Sequence, residues 1–190
     1  MNPRARIGRE RSGDVEDTVD AITISPAASV EAEIDLPGSK SYSNRALLLA
    51  ALGEGRSELT RALFSDDTRY MHQALTQLGT RIRADQHLRR YEVEGCGGAF
   101  PSRGAALSVG NAGTAARFLT AALAIGEGVF SVDGSPRMRE RPIEPLLDAL
   151  RQLGVDASAR LANGRPPVDI RAGGIPGDVH ACRGTSRASS

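Results

Sequence analysis

Two stretches of the sequence repeat one another, and this duplication limits the folds open to the chain. The segment RALLLAALGEG at 45–55 is matched by RFLTAALAIGEG at 117–128. ALTQLG at 74–79 is likewise matched by ALRQLG at 149–154. The offset between the copies changes only from 72 to 75 residues. Such regular spacing indicates a duplicated unit in which strand, helix, strand and helix follow one another.

Local signals place the elements within each copy. Alternating apolar and polar residues over 30–36 predict a half-buried strand. Serines before apolar runs predict capped helices that begin near Ser39 and Ser65. The remaining predictions are a strand over 57–60, a helix ending at Leu78, a helix ending at Ala124, a strand over 129–132 and a helix ending at Leu153.

The first helix of each copy is apolar on nearly every side, over 46–52 and 118–124. A helix without a polar face is normally buried, so we predict helices inside and sheets outside. If the copies pack side by side, the starts of these two helices meet at one surface. Their unpaired N–H groups and positive dipole ends would make that surface suitable for anions.

Bulk composition narrows the class of protein. The net charge is +1 and aromatic residues make up 4%, which argues against a nucleic-acid partner. No apolar run is long enough to span a membrane, and the N-terminus lacks an apolar signal segment, so we expect a cytoplasmic protein. Cys96 and Cys182 fit neither a disulfide framework nor a metal-ligand spacing, so we predict free thiols and no metal.

The segment PGSKSYSNR at 37–45 is the first candidate site. Lys40 is the only lysine among 24 basic residues, which singles out an ammonium at this position. GC-rich coding is the alternative explanation of the arginine bias. Ser41 and Arg45 share a helix face with each other near the same helix start, which favours a phosphate or carboxylate site. A capped helix with two solvated cations is the alternative. Asp67, one of a capping pair, is a weaker candidate that could hold an arginine of this site.

The segment GNAGTAAR at 110–117 is the second candidate, at the equivalent point of the second copy. Gly113 would let a ligand approach the backbone closely, and Asn111 and Thr114 supply polar side chains. A glycine-rich turn into a helix is the alternative reading.

The segment PRMRERP at 136–142 is the third candidate. Arg141 stands directly before a proline that starts a helix, where its fork could clamp a carboxylate. We expect Arg137 and Arg139 to lie in a solvated loop.

Four motifs together resemble one family. PGSKSYSNRALLLAAL, SDDTRYM, GNAGTAAR and PRMRERPI occur in the order typical of 5-enolpyruvylshikimate-3-phosphate (EPSP) synthases, and the likeness covers about 24–179. The resemblance implies an α/β lobe of repeated βαβαββ units with buried parallel helices and outer sheets, about two of three units being present. We accordingly expect a disordered arm at 1–20, an incomplete N-terminal lobe at 21–179 and a divergent tail at 180–190, which a frame change would explain.

The resemblance also implies a reaction. Members of the family move the enolpyruvyl group of phosphoenolpyruvate to the 5-hydroxyl of shikimate 3-phosphate, in aromatic amino acid biosynthesis, without a cofactor. By this likeness Lys40 is catalytic and contacts both substrates. Ser41 and Arg45 are assigned to shikimate 3-phosphate, Gly113 and Arg141 to phosphoenolpyruvate, and weaker pocket positions to Asn111, Thr114 and Asp67. Gly113 falls where the inhibitor glyphosate sits in the family, so Gly113→Ala is expected to crowd that inhibitor.

The likeness stops before the family's Ser-Ser-Gln motif and second lobe. We therefore expect this chain alone to be inactive and a separate C-terminal fragment of the enzyme to be its partner. A non-catalytic half that binds anions or a partner remains an alternative. The sister transferase acting on UDP-N-acetylglucosamine is disfavoured, because Lys40 is followed by Ser41 rather than Asn and no Cys lies near Arg141.

Overall fold

The computed structural model describes residues 29 and 31–175. It divides the chain into two units, 1–35 and 36–190. Within the first unit, the described residues 29 and 31–35 are exposed and form neither helix nor strand. The expected arm at 1–20, the tail at 180–190 and Cys182 lie outside the described residues.

The first copy of the duplicated unit has two helices and three strands. Ser39 caps the first helix by accepting a hydrogen bond from the Tyr42 N–H, and Ser65 forms a capping box with Thr68 at the second. The elements are α1 (Lys40–Leu52), β1 (Arg56–Leu59), α2 (Asp66–Gln77), β2 (Arg81–Asp85) and β3 (Arg90–Glu94).

The second copy has the complete order of strand, helix, strand, helix and two strands. Its elements are β4 (Gly104–Ser108), α3 (Gly113–Leu123), β5 (Glu127–Asp133), α4 (Glu144–Gln152), β6 (Asp156–Ala159) and β7 (Val168–Gly173). A short 3₁₀ turn, Met138–Glu140, lies between β5 and α4. This βαβαββ order confirms the predicted unit.

The strand predicted at 30–36 is wrong for the residues described there. Residues 31–36 have no strand assignment, and the side chains of Ile34 and Leu36 are 75% and 77% exposed. Alternation reports only which side chains would share a face, whereas a strand also needs a neighbour to satisfy its N–H and C=O groups.

Each copy builds its own sheet with the same pairing order. The first sheet runs β1-β3-β2 and is antiparallel, and the second runs β4-β5-β7-β6 with only β4 and β5 parallel. In both copies the strand after the first helix pairs with the last strand of the copy. This shared order is what a duplicated unit requires.

The helices lie on the inner sides of the sheets, as predicted. Tyr91 and Val93 of β3 point inward and are 1% and 0% exposed, while Glu94 on the same strand is exposed. Leu47 of α1 and Leu119 of α3 are both completely buried. The core is therefore continuous from the first copy to the second.

The prediction that α1 is buried on all sides is wrong for the part of the chain that the structure describes. Tyr42 and Leu49 are 74% and 69% exposed, whereas the opposite side of α1 is closed by α2, α3 and β3. An apolar helix surface needs a neighbour on every side to be covered, and the described elements supply neighbours on one side only. No helix in the described part of the chain is long and apolar enough to cross a membrane.

Candidate functional site

A cavity of about 520 Å³ lies where the starts of α1 and α3 meet the loop before α4. The structure brings all of the site residues named from the sequence to this one cavity. They are Lys40, Ser41, Arg45, Asp67, Asn111, Gly113, Thr114 and Arg141. The duplication therefore places the two helix starts side by side, as the sequence predicted.

Lys40 occupies the first position of α1 and is paired with a carboxylate of α2. Its Nζ lies 3.5 Å from Oδ1 of Asp67, and the two side chains are 51% and 25% exposed. The suggestion that Asp67 holds an arginine is thus corrected, because its cation is Lys40. Asp66 turns away and pairs with Arg69 at 2.8 Å.

The loop between β1 and α2 is fastened to the start of α1, which explains why Asp67 comes so close to Lys40. A Cβ placed on Gly38 would lie 2.3 Å from the carbonyl oxygen of Arg61, so only glycine fits there. The hydroxyl of Ser43 accepts a hydrogen bond from the N–H of Leu63 at 2.9 Å. These two contacts fix the distance between the first turns of α1 and α2.

The start of α3 offers backbone N–H groups instead of a charged side chain. No side chain caps it, since Ala112 stands at the capping position, and Gly113 and Thr114 line the cavity. The Arg141 guanidinium lies directly over this turn, because a Cβ on Gly113 would be 2.7 Å from its Nη1. Free N–H groups under a guanidinium form a competent receptor for a carboxylate or phosphate.

Three contacts hold the loop that carries Arg141. Met138 is buried beneath it, 2% exposed. Arg139 donates two hydrogen bonds to Asp133, one of them 2.9 Å long, and these bonds lower the pKa of that carboxyl group. Arg117 donates from Nη2 to the carbonyl oxygen of Pro142 at 2.8 Å. The base of Arg141 is therefore fixed on both sides.

Arg137 and Arg139 do not reach the cavity. Arg137 pairs with Glu140 at 2.7 Å, and Arg139 pairs with Asp133. The expectation that neither belongs to the site agrees with this placement, although both are held by carboxylates rather than solvated alone.

Several cavity residues were missed by the sequence reasoning. Arg117 and Phe118 follow the GNAGTAAR glycines by one turn and also line the cavity, as does the distant Pro166. Arg117 could have been found, because it stands 72 positions after Arg45 in the repeat. Phe118 replaces an alanine of the first copy, Ala46, and Pro166 has no signal near it in sequence.

Positive charge is concentrated in the cavity. Its lining includes four cationic side chains, namely Lys40, Arg45, Arg117 and Arg141, and one carboxylate, that of Asp67. The whole chain, in contrast, has a net charge of only +1. Charges that converge in a concave surface reinforce one another, so the cavity attracts anions although the chain as a whole does not.

Within residues 29 and 31–175, no group of three or more His, Cys, Asp or Glu side chains is arranged to hold a metal. Cys96 is a free thiol, 3.4 Å from the hydroxyl of Thr80 and away from the cavity. The groups that line the cavity are cations, hydroxyl groups and helix starts.

Comparison with known proteins places this geometry in a family. The family model of EPSP synthase (3-phosphoshikimate 1-carboxyvinyltransferase) matches residues 24–186. A 3-phosphoshikimate 1-carboxyvinyltransferase of Shewanella baltica is 49% identical over 157 residues, 82% of this chain. That of Actinobacillus pleuropneumoniae is 50% identical over 163 residues, 84% of this chain.

Comparison with solved structures indicates the same family. The EPSP synthase of Acinetobacter baumannii superposes with a TM-score of 0.67 at 29% identity, over 74% of this chain and 32% of that one. The chain spans 37% of the length of the Shewanella relative and 38% of that from Actinobacillus. A family model that covers most of the chain, supported by a shared fold, leads to a single conclusion: this chain belongs to the EPSP synthase family.

Proposed function

We propose that the cavity binds phosphoenolpyruvate and shikimate 3-phosphate and forms part of the active site of a 3-phosphoshikimate 1-carboxyvinyltransferase. The observation that carries this proposal is the convergence of Lys40, Arg45 and Arg141 on the starts of two helices in one cavity. Both substrates carry a phosphate and a carboxylate. Guanidinium forks and free helix N–H groups are the protein groups that best complement such oxyanions.

Phosphoenolpyruvate is assigned to the start of α3. The N–H groups of Gly113 and Thr114 and the guanidinium of Arg141 can donate to its charged oxygens from two directions. Gly113 has no side chain, so the Arg141 guanidinium can lie against the helix start beside the ligand. Asn111 stands at the rim of the same pocket.

Shikimate 3-phosphate is assigned to the start of α1. Ser41 and Arg45 are one helical turn apart and both line the cavity, so an oxyanion of the substrate between them would receive a hydroxyl and a guanidinium donor. The two substrates would then lie next to each other, since the two helix starts share one cavity. Proximity of this kind is itself a major part of catalysis in a two-substrate transfer.

Lys40 is placed to act on the reacting atoms. In the transfer, the 5-hydroxyl oxygen bonds to C2 of phosphoenolpyruvate while C3 takes up a proton, so the C2–C3 double bond becomes a single bond. Loss of a proton from C3 then restores the double bond as the bond from C2 to the phosphate oxygen breaks, and the hydroxyl proton leaves with the phosphate. The Lys40 ammonium can stabilise the charge that develops on the departing phosphate or supply a proton to it. Its contact with Asp67 keeps the ammonium at the cavity before substrate arrives.

The chain corresponds to 37% of the length of the Shewanella relative. We propose that turnover also requires the region of the family that this chain does not match, supplied by a C-terminal polypeptide. Under this proposal the chain alone binds anions, and only the two parts together release phosphate.

The first test is the binding of shikimate 3-phosphate to this chain, measured by isothermal titration calorimetry. Arg45→Ala is expected to weaken binding at least tenfold, as is usual when a charge-assisted hydrogen bond is lost. Arg56→Ala is the matched control, because Arg56 is exposed in β1 and lies outside the cavity. Equal losses in the two variants, or no binding by the parent, would contradict the proposal.

The second test is turnover. Phosphate release from phosphoenolpyruvate and shikimate 3-phosphate is measured with this chain alone and after addition of the unmatched remainder of the Shewanella polypeptide. Release is expected only in the mixture, and Lys40→Ala should abolish it. Release by the chain alone would show that one lobe suffices and would refute the two-part proposal.

A further inference from the structure

The cations of the cavity are held in different ways, and Arg45 is the one for which a contact with an aromatic ring is found among the described residues. Lys40 is paired with a carboxylate at 3.5 Å. Arg117 donates to a backbone carbonyl group. Arg45 instead lies over an aromatic ring, with its Cζ 5.5 Å from the centroid of Phe118. The structure records no carboxylate within ion-pair distance of Arg45 among the described residues.

Phe118 reaches Arg45 across the boundary between the two copies. It lies on α3, is partly buried and lines the cavity, whereas Arg45 lies on α1. The residue equivalent to Phe118 in the first copy is Ala46, which carries no ring. The duplication therefore does not require this contact, because only the second copy carries a ring at this position.

A ring and a carboxylate hold a guanidinium with opposite consequences for a ligand. A carboxylate occupies the N–H donors and cancels the charge. A ring attracts the cation through its electron-rich face, takes no N–H hydrogen bond and leaves the charge in place. The side chain is nevertheless restrained, so less conformational entropy is lost when an oxyanion arrives.

We propose that Phe118 is a positioning residue that holds the Arg45 guanidinium in the cavity for an oxyanion of shikimate 3-phosphate. This inference rests on the proposed function, because it assumes that Arg45 binds that substrate. Phe118 acts through Arg45 and makes no contact with the reacting atoms in this account.

The test compares a ring-free variant with a variant that keeps the ring. Phe118→Leu fills similar space without a π face and is expected to weaken shikimate 3-phosphate binding about two- to fivefold, the scale of an exposed cation–π contact. Phe118→Tyr should restore parental affinity. Phe64→Leu is the control for a general loss of a ring, because Phe64 is also partly buried but stacks on Tyr91 away from the cavity.

Two readouts separate positioning from a general structural effect. In an Arg45→Ala background, Phe118→Leu should cause no further loss of affinity, because the two residues act as one unit. In the ligand-free parent, the Nε–H proton resonance of Arg45 should carry a ring-current shift that Phe118→Leu removes and Phe118→Tyr keeps.

The possible failures are distinguishable. If the parent binds and Phe118→Leu binds equally well, or if its effect adds fully to that of Arg45→Ala, the positioning role is overturned and the proposed function stands. If the parent does not bind shikimate 3-phosphate, the proposed function falls and the positioning role falls with it.

Discussion

The first helix of one copy begins with Lys40, and the neighbouring helix supplies the carboxylate of Asp67 at 3.5 Å. The first helix of the other copy begins with Gly113, and the neighbouring loop supplies the guanidinium of Arg141 directly above it. One copy thus carries its cation on the helix and a counter-charge beside it. In the other copy no side chain caps the helix start, and the cation comes from the loop before α4.

This difference is confined to the edge of the cavity. Deeper along the same helices the two copies agree, because Leu47 and Leu119 occupy equivalent places and are both completely buried. A duplicated unit keeps its core because every core side chain touches many others. Side chains at the cavity have fewer neighbours and can diverge toward separate tasks. The duplication therefore places two differently equipped helix starts at one cavity.

The largest expected change in stability comes from substitutions in the core that the two copies share. Leu47→Ala and Leu119→Ala should each lower the free energy of unfolding by about 2–5 kcal/mol, because each leaves a cavity among completely buried neighbours. Urea unfolding followed by circular dichroism measures both. The two losses should agree within about 1 kcal/mol if the copies are packed alike.

Leu49→Ala on the exposed side of α1 is the control, since Leu49 is 69% exposed. It should change the unfolding free energy by less than about 0.5 kcal/mol. A large loss at Leu49 would mean that this side of α1 is covered in solution. A marked inequality between Leu47 and Leu119 would show that the copies differ in their cores as well as at the cavity.

The next prediction concerns the contact between the start of α1 and the loop that joins β1 to α2 in the first copy. Gly38→Ala should cost about 1–3 kcal/mol, because its Cβ would meet the backbone of Arg61 and Leu63, which cannot move as a flexible side chain can. Gly173→Ala is the matched control, as a Cβ there meets nothing within 4 Å. Equal stabilities of the two variants would disprove the close approach of this loop to α1.

The third prediction concerns Gly113, the first residue of α3 in the second copy. Gly113→Ala should raise the unfolding free energy by up to about 1 kcal/mol, because alanine favours a helix and only the mobile end of Arg141 must move. Phosphoenolpyruvate binding should fall about tenfold, since the guanidinium is displaced from the helix start. Calorimetry and urea unfolding check the two directions. If the variant is more stable but binds phosphoenolpyruvate as tightly as the parent does, Arg141 does not bind this substrate.

Sequence patterns predicted the parts of this molecule that depend on neighbours along the chain. Ser39 and Ser65 cap helices because a capping side chain needs only an N–H two or three residues ahead. The repeat predicted the meeting of two helix starts, because equivalent units pack equivalently. The repeat predicted that Lys40 and Arg45 lie beside the start of α3, and the resemblance to the family added Arg141 to the same pocket.

What the sequence did not predict depends on distant partners. The alternation at 31–36 describes a strand that also needs an adjacent backbone, and no strand is assigned there. The pairing of Lys40 with Asp67 follows from how Gly38 lets one loop approach, which no local pattern encodes. The contact of Arg45 with Phe118 crosses two helices and could be found only from their packing.

The smallest expected effect uses a residue that differs between the second helices of the copies. His72 of α2 stands 75 positions before Leu147 of α4, which is completely buried. Burial lowers the pKa of His72 from 6.5, although a hydrogen bond with the backbone of Ile82 opposes this. The unfolded chain therefore takes up this proton at a higher pH than the folded chain does. The stability that neutral His72 contributes is complete above pH 6.5 and is lost as the pH falls through the folded value.

Replacing the histidine with the residue of the other copy should remove this loss. His72→Leu is expected to gain stability over the parent progressively as the pH is lowered from 7.5 to 5, a range of about two units around the free histidine value. Urea unfolding at several pH values measures the gap, and the carboxylates common to both proteins cancel from it. His72→Gln separates the two causes, because it abolishes titration without adding apolar surface and should show the same change of slope. Parallel pH profiles for parent and both variants would mean that His72 is solvated when folded, and the second helices would then be alike in their electrostatics as well as in their packing.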